Sequence, residues 1–375
     1  MSERAVAQAS DFKNFFERNK VDLVLIFNGS FYPSAAASVV AKKMDIGTQY
    51  FENGFFPFTT QMDPRGVNFN SSTGQLDENF FRKVKLDDEK LDTMRRTYLK
   101  QLPPPYPLND EYRIDSLTKF YNKFIATKYR GFSLSCIFPP WLRKMLALKM
   151  PGERPPLPPL KEQPEDIPEK PYIFVPLQVH DDSQILNLSP YIKNMQQFID
   201  VVYQTAREVF GEKMDIVVKE HPVDVWRGYD YPEVRAKYPD IYWFRKFDIK
   251  RIIANSRFIV TVNSTVGLES LIFHKPVVVL GKAIYGKSGI SIPVNDIADL
   301  KGAFERAHSE EVEKILVDKF LYYLRYYHML DGSYKYFDDS SMSGTVQRIE
   351  REFADKMWTK SPEEIANIRL QNIQV

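Results

Sequence analysis

Short apolar runs, each closed by polar or turn-forming residues, alternate along this chain with stretches whose apolar positions recur at helical spacing. The first run is Leu23-Val24-Leu25-Ile26-Phe27, entered through Asp22 and ended by Asn28-Gly29. An uninterrupted apolar run of this length is the pattern of a strand covered on both faces, and Asn-Gly is turn chemistry. Phe12 to Asn19 precedes it as a predicted helix, Ser34 to Met44 follows as a helix of small residues, and Thr48-Gln49-Tyr50-Phe51 is the next strand. Strand, helix and strand in this order predict a right-handed crossover in a parallel sheet. Glu52-Asn53-Gly54 closes the second strand, and Phe55 to Thr73 is turn-rich around Asp63-Pro64-Arg65-Gly66-Val67-Asn68. Leu91 to Leu102 and Leu117 to Lys128 read as helices.

The same rhythm restarts at Tyr172. Tyr172 to Leu177, Ile216 to Val218, Tyr242-Trp243, Phe258 to Val262 and Pro276 to Gly281 are predicted strands. Tyr191 to Phe210, Ile249 to Asn255 and Val266 to Phe273 are the helices between them, and Glu310 to His328 and Gly344 to Trp358 are helices that close the chain. Between the halves the composition changes: fifteen of the 25 prolines lie from Pro103 to Pro176. Proline at that density makes a stiff, extended connector. The predicted division is an N-terminal α/β domain over 1–150, a Pro-rich linker over 151–169, a C-terminal α/β domain over 170–340 and C-terminal helices over 341–375. Two Rossmann-type domains facing across a cleft is the simplest architecture with this pattern.

Composition narrows the classes of function. With 51 Lys and Arg against 49 Asp and Glu, the net charge of +2 gives no basic footprint for nucleic acid. The single cysteine, Cys136, excludes an internal disulfide and suits a reducing compartment. Met1 to Lys20 is polar and charged, unlike a secretory leader, and no apolar run approaches the roughly 18 residues that span a bilayer. A soluble or peripheral protein is expected. Cys136 to Met150 mixes Trp141, Leu142 and Leu146 with Arg143, Lys144 and Lys149. Such a stretch suits either an anionic membrane interface or a linker helix packed on a domain.

The candidate chemistry gathers at predicted strand ends. Ligands of open parallel sheets bind at the carboxyl ends of the strands. Ile216-Val217-Val218 delivers Lys219-Glu220-His221-Pro222 to such an edge, and Phe258 to Val262 delivers Asn263-Ser264-Thr265 and then a helix whose first turn holds Gly267 and Glu269. A helix start with small hydroxyl residues and free N–H groups stabilises a phosphate. Lys219 adds a point charge, and His221 donates to a phosphate oxygen or a leaving group. The bland alternatives are that Ser264-Thr265 only caps a helix and that His221 is structural. His180, His274, His308 and His328 have no metal-ligand spacing, and no Asp-x-Asp triplet occurs. No cofactor and no metal are expected.

At this point the residues resemble a known family. Val175-Pro176-Leu177-Gln178-Val179-His180-Asp181-Asp182-Ser183-Gln184 is similar to a signature of the capsule polysaccharide biosynthesis family. So are Glu52-Asn53-Gly54 with Asp63 to Asn68, then Lys219 to Pro222, then Asn263 through Tyr285. The family includes retaining β-Kdo glycosyltransferases that use CMP-β-Kdo to build the Kdo linker of capsules on a lyso-phosphatidylglycerol-type glycolipid. The resemblance implies a GT-B-like fold and peripheral work on the cytoplasmic face of the inner membrane, beside a capsule-assembly complex.

By the same resemblance Asp182 aligns with the aspartate expected to form the covalent Kdo adduct. Departure of CMP leaves an oxocarbenium-like centre that a carboxylate captures. Glu52 is the candidate general base for the acceptor hydroxyl, and His221 neutralises the departing phosphate. Gln178 and Gln184 are expected to orient donor groups, with Asn28 also on the donor side, and Glu269 to accept from the ribose. Outside Kdo transfer, CDP-glycerol or UDP-sugar chemistry and a non-catalytic assembly subunit remain open. The Gln178 to Gln184 motif argues against the two other nucleotides.

Overall fold

A computed structural model describes residues 3–100, 105, 157–160, 163–180, 188–333 and 335–372. The strands in chain order are β1 (Leu23–Phe27), β2 (Gly47–Asn53), β3 (Thr59–Asp63), β4 (Tyr172–Pro176), β5 (Asp215–Lys219), β6 (Tyr242–Phe244), β7 (Phe258–Thr261), β8 (Val277–Val279), β9 (Ile292–Pro293) and β10 (Met329–Asp331). They form two sheets, one ordered β1-β2-β3-β10 and one ordered β6-β5-β4-β7-β8-β9. The fold is α/β, with two sheet-centred units, as the alternating pattern predicts.

The second sheet is parallel throughout. Its central strands are apolar because helices cover both faces. Ile173 and Val175 pack with Phe198, Val202 and Phe304 on one side, and Phe174 and Val217 with Leu268 and Leu271 on the other. Burying each of these large side chains contributes about 1.5–3 kcal/mol. The chain winds outward from β4 through β5 to β6, returns to lay β7 on the other side of β4, and continues through β8 to β9. The reversal makes the carboxyl ends of β4 and β7 a topological switch point, where such sheets hold ligands.

The first sheet is mixed. β1 and β2 are the expected parallel pair, with Leu23 opposite Gly47. β1 is not the strand covered on both faces that its apolar run predicts: it is the edge strand of this sheet, with Leu25 and Phe27 exposed. β3 pairs antiparallel with β2, and β10 antiparallel with β3. Met329–Asp331, counted from sequence with the second unit, therefore pairs with the first sheet. The helices Asp339–Ala354 and Pro362–Asn372 return there too: Gln49 donates to Glu352 at 2.8 Å, and Arg369 to Asp63 at 3.0 Å. Conversely Phe80, Phe81, Leu91 and Met94 join the core cluster that contains Phe174 and Val217 of the second sheet.

Helix boundaries follow local capping. Met195–Phe210 starts later than the predicted Tyr191 because Asn194 takes the Gln197 N–H at 2.8 Å. Asp339–Ala354 starts earlier than Gly344 because Asp338 and Ser341 form a reciprocal capping box. The predicted helix Leu117 to Lys128, most of the proline-rich connector and the basic stretch Cys136 to Met150 lie outside the described residues.

Candidate active site at the switch point

Gln178 follows β4 and Asn263 follows β7, and the two side chains tie the switch point together. The Gln178 amide donates to Asn263 Oδ1 at 2.9 Å and accepts the Asn263 backbone N–H at 3.1 Å. Such a reciprocal pair holds two loops that would otherwise splay apart. Above it lies a cavity of about 140 Å³, lined by Gln178, Val179, His221, Asn263, Ser264, Thr265 and Lys282 to Tyr285 of the second unit and by Phe55, Asn68 and Phe69 of the first.

Each wall has a local cause. Ser264 caps the Thr265–Ile272 helix, its hydroxyl accepting the Val266 N–H at 3.2 Å while its own N–H is held by Thr261 Oγ1 at 3.2 Å. Thr265 is the first helical residue and is exposed. The Tyr285 hydroxyl donates to the Ser264 carbonyl, fixing the cap from behind. His221 caps the helix Pro222–Arg227, its Nδ1 accepting the Val223 N–H at 3.1 Å. A neutral ring used in this way carries its proton on Nε2 and is a donor there. The Lys282 ammonium lies 5.5 Å from the centre of the Phe69 ring, bringing positive charge across the gap between the units.

The loop under His221 rests on a charge cluster. Glu220 is buried and accepts Arg245 at 2.7 Å and Arg235 at 3.0 Å. Burial pushes its carboxyl above the ordinary range even though both arginines pull it down. Lys219 points no ammonium at any described partner; burial lowers its pKa, and the adjacent Glu220 charge opposes that.

The predicted site residues divide into three sets. Gln178, His221, Ser264 and Thr265 share the cavity. Lys219, Gly267, Glu269, Asn28 and Glu52 are outside its lining. Gly267 has a packing reason to be glycine, since an added Cβ would collide with the Tyr285 ring and hydroxyl. Glu269, expected at the ribose, accepts the Tyr98 hydroxyl, and burial raises its carboxyl pKa against that hydrogen bond and the nearby Lys250. Asn28 and Glu52 pair with each other at 2.5 Å at the ends of β1 and β2, and Asn53 gives Glu52 two more hydrogen bonds. Asn28 borders a second cavity of about 700 Å³ in the first unit, which meets the first at Phe69. Asp182 and Gln184 lie outside the described residues.

Asn263 and the Lys282 to Tyr285 wall fall within the motif stretches read from sequence but carry no assigned site role there, as does Asn68, and Phe69 lies in none of them. The first two were within reach of the strand-end rule, because they follow β7 and β8 directly. Among the described residues no group of three or more His, Cys, Asp or Glu is placed to hold a metal ion, and no helix is long and apolar enough to cross a membrane.

A family model described as "Capsule polysaccharide biosynthesis protein" matches residues 24–333. "Protein FixF" of Sinorhizobium fredii (strain NBRC 101917 / NGR234) is 27% identical over 315 residues, covering 83% of this chain and 61% of that protein. "Capsule polysaccharide export protein KpsS" of Escherichia coli is 26% identical over 262 residues, covering 67% of this chain and 64% of that protein. The chain thus spans less than two thirds of the length of either relative. A solved structure titled "Thermosulfurimonas dismutans KpsC, beta Kdo 2,7 transferase" is 16% identical with a TM-score of 0.44, covering 93% of this chain and 90% of that one.

Proposed function

The chain belongs to the capsule polysaccharide biosynthesis family, and from that premise we propose that it is a retaining β-Kdo transferase. It takes Kdo from CMP-β-Kdo and adds it to a (lyso)phosphatidylglycerol-type glycolipid, working peripherally at the cytoplasmic face of the inner membrane. The observation that carries this reading is the switch-point cavity, where Gln178, His221 and the Ser264-Thr265 helix start line one space. That set suits a nucleotide monophosphate: hydroxyls and a helix N-terminus for the phosphate oxygens, and an imidazole N–H for the charge that grows as the sugar leaves.

In the proposed reaction a carboxylate oxygen of Asp182 attacks the anomeric carbon of Kdo as the bond to the CMP phosphate breaks. The released phosphate keeps the bonding pair, and His221 Nε2–H offsets its charge. An acceptor hydroxyl then attacks the same carbon, its proton passing to Glu52, and the Asp182 ester bond breaks. Two inversions give net retention. The cations and donors named above offset phosphate charge without a metal ion, so turnover is expected to persist in excess chelator.

Purified protein given CMP-Kdo and a Kdo-bearing lysophosphatidylglycerol should release CMP and lengthen the glycolipid by one Kdo, read by mass spectrometry. Asp182→Asn should reduce turnover by at least about a thousandfold, in line with loss of a covalent nucleophile. Full activity of Asp182→Ala would remove the proposed nucleophile. Tighter binding of UDP or CDP than of CMP would move the reading to another nucleotide.

A further inference from the structure

His180 has no metal-ligand spacing in the sequence, yet its surroundings are those of an oriented functional imidazole. It stands one residue beyond Val179, which lines the switch-point cavity. Its Nδ1 lies 2.9 Å from Asp224 Oδ1, and its backbone N–H donates to Asp224 Oδ2 at 3.0 Å. A carboxylate only accepts, so Nδ1 carries a proton and the ring presents Nε2 outward. Tyr231 donates its hydroxyl to the same Asp224 oxygen at 3.1 Å, and Asp224 itself is fully buried. The imidazole also lies flat on the Tyr229 ring, 3.9 Å between centres and 6° from parallel. Carboxylate, backbone and stacking contacts together leave the ring no rotational freedom. Its Nε2 edge has no partner among the described residues, and the side chain is 28% exposed.

Asp224 is three residues beyond His221 on the helix Pro222–Arg227, so one helical turn links the imidazole in the cavity wall to the carboxylate that orients the second one. Surface histidines do not need a buried carboxylate, a buried tyrosine hydroxyl and an aromatic platform. Ligand-binding ones use such support, because a group fixed beforehand loses little entropy on binding.

We propose that His180 is a second substrate-binding imidazole of this site, held by Asp224 as its positioning residue, and that its Nε2 binds an anionic oxygen on the sugar part of the nucleotide sugar. This rests on the nucleotide-sugar reading above. With Nδ1 committed to Asp224, Nε2 is the ring atom left to face the sugar, and the carboxylate of an ulosonic acid is the matching acceptor for its N–H. His221 meets the phosphate and His180 meets the sugar.

The test measures the KM of the full-length protein for CMP-Kdo and the dissociation constant for CMP, which lacks the sugar. His180→Asn should raise KM about tenfold or more, the scale of one lost charge-assisted hydrogen bond. The CMP constant and kcat should stay within about twofold. Asp224→Asn keeps an acceptor for Nδ1 and removes the charge, so it should shift KM in the same direction by less. Tyr229→Leu, which frees the ring while leaving both polar partners, should also raise KM and serves if the Asp224 variant folds poorly. An unchanged KM in His180→Asn, or equal weakening of CMP and CMP-Kdo, would overturn the proposal. If wild-type protein binds neither nucleotide, the underlying reading fails first, which separates the two failures.

Discussion

Lys287 shows how much a single buried charge can do. Its ammonium donates to the carbonyls of Gly74 at 2.9 Å and Leu76 at 2.5 Å, clasping the wall that carries Asn68 and Phe69 to the wall that carries Tyr285. Burial lowers its pKa from 10.5 to about 8, with the Asp77 and Glu78 carboxylates opposing the shift. The sign follows from proton counting. Below about pH 8 both folded and unfolded chains hold the proton and the fold bears the full cost of burying it. Between there and 10.5 the unfolded chain binds more protons, so unfolding free energy rises with pH by up to about 1.4 kcal/mol per unit from this group. Urea titrations of wild type and Lys287→Met should therefore diverge above pH 8, wild type gaining; parallel curves would contradict the assignment. Gly267→Ala is a second case. The added Cβ meets Tyr285, and overpacking of this kind costs about 1–3 kcal/mol. Adding Tyr285→Phe should recover part of the loss in denaturant midpoint, and no recovery would place the clash elsewhere. Neither role was legible in sequence, because Gly74 and Lys287, or Gly267 and Tyr285, meet only through the fold.

At the scale of elements, what was legible was apolar. Strands β1, β4, β5 and β7 were readable because their side chains are aliphatic or aromatic and bounded by turns. Strand β3 was missed because its inward residues are polar: Thr59, Gln61 and Asp63 are all buried. Each has a long-range or turn partner that sequence periodicity does not register. Gln61 donates to the Asn53 carbonyl at 2.7 Å, and Asp63 accepts Arg65 N–H, Ser72 N–H and Arg369. The C-terminal helix Pro362–Asn372 brings Arg369 into that cluster while burying Ile365 and Ala366. There Arg369 also binds Glu352 at 2.9 Å, and the two arginines Arg369 and Arg348 more than offset the burial that would raise the Glu352 pKa. Burial, reinforced by the same arginines, keeps His328 neutral well below its ordinary pKa. Arg369→Met would leave the buried Asp63 carboxylate without its arginine partner and Glu352 with Arg348 alone. A loss of about 3–5 kcal/mol in chemical denaturation is expected, and a loss under about 1 kcal/mol would show that the pairing is not structural.

For the whole molecule, the site is a product of two units rather than of either motif. The His-Pro loop and the Ser-Thr helix start, both visible in sequence, converge on one cavity. The opposing wall comes from Phe55, before β3, and from Asn68 and Phe69, between β3 and the helix Glu78–Arg82, a region tied down by clasps such as Tyr98 to Glu269, Arg95 to Asp318 and Lys287 to Leu76. Among those clasps, Glu269, whose place early in a helix suggests a ribose ligand, accepts the Tyr98 hydroxyl. Calorimetric titration of CMP and cytidine into wild type and His221→Ala tests the central claim most directly. CMP should bind wild type at least about tenfold more tightly than cytidine, the difference being the phosphate, and that gap should largely close in the variant. Equal affinities for the two ligands, or a gap that survives loss of His221, would contradict a phosphate held between the His-Pro loop and the Ser264-Thr265 helix start.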